Sequence, residues 1–520
     1  MPLSWSSDIF RHRVFLLLLP LAVYLALVLL LGDWIMDDAG ISYAYARNAA
    51  AGHGFVSQPG RPPVEGFSNF LWVLLLMPLF ALGIFDPVIA VKALGAVLVL
   101  ASLALLQRAL LREFARPGPA LLATLMVASA APVVIWTVSG LENSLTLLLA
   151  VALFDRLARM RPGWEIHAGL LTALLAMTHP ENALFFGAGL LVCLGALVRG
   201  GESLREVSRH SARYAVAFAA LFVPFMAFRL LVFGLPFPHP YYAKRRSPSF
   251  WSQFVEVFGH PAEMRDKFAD LARGMAGRLG MAVLLITVAA ALYLLRRRAL
   301  TRPLAVALAI QAVAVGSYLW MDRDWMGEYR FATVATVFSL VSFVIAGCSA
   351  GQLLLGPGGR RWITAAYLAA ALVLLVDDVP RIARFAGNAP TPLADAETRY
   401  ARKFDVYADI LGLPRGSVLL PDIGAPLLHS RLTVYDAAGL TEPDVVRTLK
   451  GGTIYWRNEH PEFYDYVFET VRPTFISTHD FFTHVTAFER DPRFARDYVA
   501  INDYADDYVR SLFHWNAHSG

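Results

Sequence analysis

Two adjacent carboxylates, Asp37 and Asp38, stand directly behind an apolar run long enough to cross a bilayer. A carboxylate held at a membrane surface can take a proton from a hydroxyl, hold a divalent cation or cap a helix. The same loop adds Arg47, Asn48, His53 and Glu65: a cation, an amide, an imidazole and a third carboxylate. Similar groups recur at later turns between apolar runs. They are Glu142, the His179-Pro180-Glu181 break, the stretch His239-Pro240-Tyr241-Tyr242-Ala243-Lys244-Arg245-Arg246, and the set Asp322, Arg323, Asp324, Glu328 and Arg330. Ionisable groups are costly to keep near a bilayer, so each is a functional candidate with a partner to be found. Each also has an ordinary reading. One aspartate serves as an N-cap, and Glu142 suits a solvated turn. His179 and Glu181 suit a broken helix, Arg323 and Arg330 suit ion pairs, and Arg47 and Lys244 suit lipid headgroups. Two aspartates exceed the needs of one cap, and a helix N-terminus favours the ionised carboxylate.

The elements that carry these groups follow from composition. The chain has 520 residues, 57% of them hydrophobic, with mean hydropathy +0.49. A bilayer core about 30 Å thick needs roughly 20 apolar residues at about 1.5 Å rise each. Several runs reach that length, so the chain is expected to be an α-helical polytopic membrane protein. Arg11 and Arg13 place the N-terminus in the cytoplasm by the positive-inside rule. Eleven crossings then bring the clearest basic clusters to the cytoplasmic side and every candidate group above to the outer side. The crossings include residues 14–31, 88–106, 120–136, 166–178, 214–233, 275–295, 304–320, 331–348 and 362–375. Asp37 to Ala51 reads as a short surface helix that ends at Gly52 and Gly54. Residues 69–84 are apolar but short, and read as a juxtamembrane helix.

Composition changes near residue 380. The expected division is a membrane domain over 1–379, with a first outer loop at 32–68, and an extracytoplasmic α/β domain over 380–520. Strands are expected at 417–420, 431–435, 474–478 and 499–502, and helices at 394–411, 443–449 and 461–470. Cys193 and Cys348 alone exclude a disulfide framework and argue against a thiolate metal site. No phosphate-binding glycine motif is present, which argues against a soluble nucleotide donor, and no nucleic-acid partner is expected.

The first-loop pattern Asp37-Asp38-x-x-Ile41-x-Tyr43-x-Tyr45-Ala46-Arg47-Asn48, then Gly52-His53-Gly54, then Val64-Glu65-Gly66-Phe67-Ser68-Asn69-Phe70-Leu71-Trp72, resembles polyprenyl-phosphate-dependent glycosyltransferases of the GT-C superfamily. Within it the chain is most similar to the terminal β-(1→2) arabinofuranosyltransferases of the mycobacterial cell wall and their bacterial relatives. Ser139-Gly140-Leu141-Glu142, Leu235-Pro236-x-Pro238-x-x-Tyr241-Tyr242-Ala243-Lys244, Trp325-Met326-x-x-Tyr329-Arg330-Phe331, Asp422-Ile423-Gly424-Ala425 and Asp436-x-x-Gly439-Leu440-Thr441-Glu442-Pro443 extend the resemblance along most of the chain. Two places depart from it. His239-Pro240 stands where the family has Asn-Thr, and Asp322-Arg323-Asp324 stands where it has Gly-Gly-Asp.

The resemblance implies an inverting transfer on the outer face of a bacterial inner membrane. The donor is a sugar on a polyprenyl phosphate, arabinofuranose favoured, and the acceptor is a hydroxyl of a glycan, glycolipid or protein. Asp37 and Asp38 are the implied catalytic pair, with Asp37 favoured as general base and Asp38 orienting the acceptor or a cation. Lys244, Arg245 and Arg330 are the implied phosphate-binding residues. The implied substrate-binding set is Arg47, Asn48, His53, Glu65, Glu142, His179, Glu181, Tyr241, Tyr242 and Asp324. A divalent cation, Mg²⁺ or Mn²⁺, would bind at Asp37 and Asp38 if the reaction uses one. The competing reading is a transporter or flippase of lipid-linked sugars. The placement of the charges at the outer face, and the lack of a visible inverted repeat, weigh against it.

Overall fold

Length and apolarity dictate the long helices. A computed structural model describes residues 7–114, 117–198, 203–244, 259–321, 324–448, 461–499 and 501. Six helical segments among them are long and apolar enough to cross a membrane: Ile89–Glu113, Leu204–Phe233, Pro261–Arg296, Arg302–Trp320, Arg330–Gly356 and Arg361–Gly387. Shorter apolar helices include Leu18–Leu31, Phe70–Ala81, Pro117–Ser129, Trp164–Ala176 and Pro180–Gly195. On the long helices large apolar side chains face outward. Leu231, Leu292, Leu372 and Val376 are all well exposed, as a lipid-facing surface requires and a water-facing one does not.

Breaks fall where the backbone demands them. Residues 120–136 form two helices, Pro117–Ser129 and Ala131–Trp136, because Pro132 has no N–H to continue the first helix and sits instead in the first turn of the second, after an extended Ala130. The last two expected spans form two helical segments, Arg330–Gly356 and Arg361–Gly387, that meet at Gly356, whose φ of 61° and ψ of -164° are not helical. Leu204–Phe233 is 30 residues long, so the helix begins well before residue 214, within the basic stretch. A helix not expected from the sequence, Pro261–Ala276, precedes Gly280–Arg296 and is separated from it by a turn at Gly277.

The chain packs as two compact units. The first comprises Met1–Trp34, Asp86–Ala227 and His260–Pro390. At its centre lies Arg330–Gly356, buried over 89% of its apolar window. Close approaches tighten this unit. A Cβ on Gly95 would stand 2.6 Å from the Thr137 carbonyl oxygen, and Tyr24 hydrogen-bonds Thr137 at 2.8 Å.

The second unit comprises Ile35–Phe85, Phe228–Gly259 and Thr391–Gly520. Packing thus groups the first loop and the fourth with the C-terminal region, which composition alone does not report. Its sheet has three parallel strands in the order β2-β1-β3: β1 is Ser417–Leu420, β2 Thr433–Asp436 and β3 Phe475–Ile476. Ser417 pairs with Thr433, and Val418 with Phe475. One core of this unit gathers Leu419, Val445, Phe463, Val467, Phe468 and Phe488. Another is aromatic, with Phe55, Phe67, Phe70, Phe228 and Phe233 in mutual ring contact. Of the expected strand at 499–502, Val499 and Ile501 are described and are not in a strand, and residues 500 and 502 lie outside the described residues.

Candidate functional site

The helix expected after the aspartates forms over Asp38–Ala50, and Gly52 and Gly54 end it at φ 83° and 81°. Asp37 does not cap it in the way a lone N-cap would, because its side chain makes no bond to its own helix. The carboxylate reaches 387 residues along the chain instead. Its Oδ2 accepts the Gly424 N–H at 3.1 Å and its Oδ1 the Ala425 N–H at 2.8 Å. Those two amides open the short helix Gly424–His429. Arg47 holds the other end of the same helix, donating to the Leu427 carbonyl at 3.0 Å and to the Leu428 carbonyl. One helix thus clamps another at both ends, satisfying donors at one terminus and acceptors at the other. The crossing is close: a Cβ on Gly40 would lie 2.5 Å from the Gly424 carbonyl carbon.

This geometry separates the two aspartates. Asp37 is 2% exposed, and burial, reinforced by the neighbouring carboxylates Asp38 and Asp422, raises its proton affinity well above the usual carboxylate range. The amides of Ala425 and Gly424 pull the other way without reversing the direction. The helix N-terminus is expected to keep at least one of the two carboxylates ionised; at Asp37 desolvation outweighs that effect. Asp38 is half-buried, so a solute can approach it.

Other first-loop candidates are also held. Asn48 is buried and donates to the carbonyls of Val56 and Ser57 at 2.9 and 3.0 Å, fixing the turn. Glu65 is buried in an ion pair with Arg229, Oε2 to Nε at 2.8 Å and Oε1 to Nη2 at 3.0 Å. His53 is exposed. In the fourth loop the helix His239–Lys244 begins at a buried His239. Its backbone N–H donates to Glu65 O at 2.8 Å, and its Nδ1 lies 2.9 Å from Gly439 O. Burial lowers the imidazole's proton affinity, and the ring donates from Nδ1 as a neutral tautomer. Tyr241 and Tyr242 are half-buried, with rings 5.2 Å apart edge to face, and Lys244 is exposed. Arg245 and Arg246 lie outside the described residues, as do Asp322 and Arg323.

A second polar cluster sits within the first unit. Glu142, Asn143, His179, Glu181 and Arg330 line one cavity of about 30 Å³, room for a water or two. It forms where the turns before Asn143–Arg159 and Phe185–Val198 meet the end of Arg302–Trp320 and the start of Arg330–Gly356. His179 pairs with Glu181, and its ring lies 5.2 Å from Phe331. Arg330 stands over Phe331 at 4.3 Å, with Asp324 at 3.7 Å. Asn143 is buried, donates to Arg330 O at 2.9 Å and leaves its own Oδ1 without a partner. The lining mixes two carboxylates with the Arg330 guanidinium and with amides and hydroxyls that both donate and accept.

Both Asp37 oxygens accept backbone amides, and among the described residues no group of three His, Cys, Asp or Glu side chains is spaced to share an ion.

The sequence did not single out Gly424 and Ala425 as amide donors, nor Arg229, Asn143 or His479. Arg229 was detectable, because a lone arginine inside an apolar span demands a partner.

No family model matches the chain, and no curated protein matches it significantly. Among solved structures the chain is similar to ArnT from Cupriavidus metallidurans in the apo state. The TM-score is 0.55 and identity 13%, covering 88% of this chain and 91% of that one. It is also similar to the same protein bound to undecaprenyl phosphate, with TM-score 0.54 and identity 13%, covering 88% of this chain and 95% of that one. At such identity the likeness is one of fold. The chain is a helical, multi-pass membrane protein of the GT-C fold with a small C-terminal sheet.

Proposed function

We propose that the chain is an inverting, polyprenyl-phosphate-dependent glycosyltransferase working on the outer face of a bacterial cytoplasmic membrane, with arabinofuranose the favoured sugar. The observation that carries the reading is the half-buried Asp38 beside a buried, amide-bound Asp37 in a chain of this fold. Asp38 acts as general base in place of Asp37, which the resemblance favours, because Asp37 is buried with both oxygens on backbone amides and so positions its helix instead. The acceptor hydroxyl gives its proton to the Asp38 carboxylate, and its oxygen attacks the anomeric carbon from the face opposite the lipid phosphate. The bond from that carbon to the phosphate oxygen breaks, and the electron pair leaves with the lipid phosphate. Inversion follows from the single displacement. Charge grows on the departing phosphate, and Lys244 with Arg245 supplies the cations that stabilise it. The acceptor is a glycan, glycolipid or protein hydroxyl of the cell envelope. ArnT's complex with undecaprenyl phosphate supports a lipid-linked donor.

The test is transfer in nanodiscs from decaprenyl-phosphoryl arabinofuranose to an octyl arabinofuranoside acceptor, following both product and free decaprenyl phosphate. Wild type turns over and Asp38→Asn does not. Equal turnover of the two proteins removes Asp38 as the base. Absence of transfer, with lipid-linked sugar moving across liposomes, replaces the transferase by a transporter.

A further inference from the structure

The C-terminal sheet holds a polar site that the reaction above does not use. β1 is its middle strand: the chain leaves β1 for β2 on one side and passes from β2 to β3 on the other. In open parallel sheets ligands bind beyond the carboxyl ends where the strand order reverses, as it does between β1 and β3 here. Asp422 stands two residues past β1 and His479 three past β3. Their side chains meet at this edge, His479 Nε2 to Asp422 Oδ2 at 2.7 Å. They are 36% and 20% exposed, so a solute can reach both. Aromatic rings surround the pair. Tyr400 lies near-parallel to the imidazole, at 6.0 Å and 24°, and Phe482 lies edge-on at 6.0 Å and 67°. Phe481, in ring contact with Phe482, is 44% exposed. A carboxylate at the centre disfavours an anion. A few convergent polar groups framed by aromatic faces fit a ligand with hydroxyls on its edges and C–H surfaces on its faces.

The edge also adjoins the aspartate pair. The loop after β1 carries Asp422 and, two and three residues later, the amides that bind Asp37. Asp422 lies within electrostatic reach of Asp37.

We propose that this carboxyl edge binds the sugar chain of the acceptor, with Asp422 and His479 hydrogen-bonding its hydroxyls and the Tyr400 and Phe481 rings against its C–H faces. The proposal rests on the transferase reading for the word acceptor, but the binding site can be tested without turnover. The full chain in nanodiscs is titrated with an octyl di-arabinofuranoside, reading saturation-transfer NMR and the acceptor KM against kcat and the donor KM. His479 makes no side-chain cap to the helix that follows, so His479→Ala leaves that helix intact, and its melting temperature checks the fold. His479→Ala is expected to abolish saturation transfer and raise the acceptor KM about tenfold or more, with donor KM and kcat near wild type. Tyr400→Ala should act in the same direction, and Asp38→Asn should keep saturation transfer while losing turnover. A wild type without saturation transfer, or a folded His479→Ala with unchanged saturation transfer and acceptor KM, overturns the proposal. Binding that depends on His479 in a protein that transfers nothing leaves the sugar site standing and removes the transferase.

Discussion

Asp37→Asn should cost stability, and Asp38→Asn should cost turnover. The Asp37 carboxylate accepts two amide hydrogens, from Gly424 at 3.1 Å and Ala425 at 2.8 Å, at a position 2% exposed. Asparagine offers one carbonyl oxygen and one amino group. One bond survives, and the other becomes a donor facing a donor with no water to intervene. A buried unsatisfied donor costs about 1–3 kcal/mol. At about 2–4 °C per kcal/mol for a domain of this size, the melting temperature falls by several degrees. The deficit depends on pH. Burial raises Asp37's proton affinity above its unfolded value, so its stabilising contribution is full at acid pH and is lost as pH rises through the folded pKa. The asparagine variant has no such dependence, so its deficit is largest near pH 4 and shrinks upward. Asp38→Asn should melt like wild type and lose about 10²–10⁴-fold in turnover, the usual worth of a general base. Tryptophan-fluorescence melting in nanodiscs across pH, beside the transfer assay, reads both effects. An Asp37→Asn protein as stable as wild type but as inactive as Asp38→Asn would refute this division of labour.

Three further outcomes follow from the same unit. Gly40→Ala places a methyl 2.5 Å from the Gly424 backbone, which cannot yield as a side chain could, so overpacking should cost about 1–3 kcal/mol in thermal melting. Arg229→Met strands a buried Glu65 and should destabilise by about 3–5 kcal/mol, whereas the double variant Arg229→Met, Glu65→Met should recover most of that loss. His239 is buried neutral, so its contribution is full above the unfolded pKa of about 6.5 and is lost as pH falls through the lowered folded value. Hydrogen-exchange protection at residues 439–441, corrected for intrinsic rates, should therefore fall as pH drops below the unfolded histidine pKa of about 6.5, and a His239→Gln protein should lose that pH response.

The long apolar helices were legible because apolarity sustained over a bilayer's thickness is stable in lipid and costly in water. The helix Asp38–Ala50 was legible because acidic residues open it and Gly52 closes it. Helix length was not. Leu204–Phe233 starts well before its apolar run, because arginines are good helix formers and do not mark an end. Pro261–Ala276 is polar on one side, and was hidden in what reads as a loop. Strand β1 matched its β-branched and apolar run, while β3 is only two residues and ends earlier than its composition suggests. At the candidate site the residue types were legible and their partners were not. No local signal ties Asp37 to amides 387 residues away, or Arg47 to carbonyls 380 and 381 residues away.

That separation explains why both ends of the first-loop helix carry charge. A helix of six residues, Gly424–His429, gains little from its own hydrogen bonds and needs its termini satisfied from outside. Asp37 and Arg47, ten positions apart, do this from a single rigid helix, and Gly40 lets the two backbones approach between them. Asp38 then inherits its position from the C-terminal region and not from its neighbours in sequence. A shift of the loop after β1 moves the amides at Gly424 and Ala425, and with them the helix that carries Asp38. The two aspartates are adjacent because one fixes the helix and the other projects from its first turn.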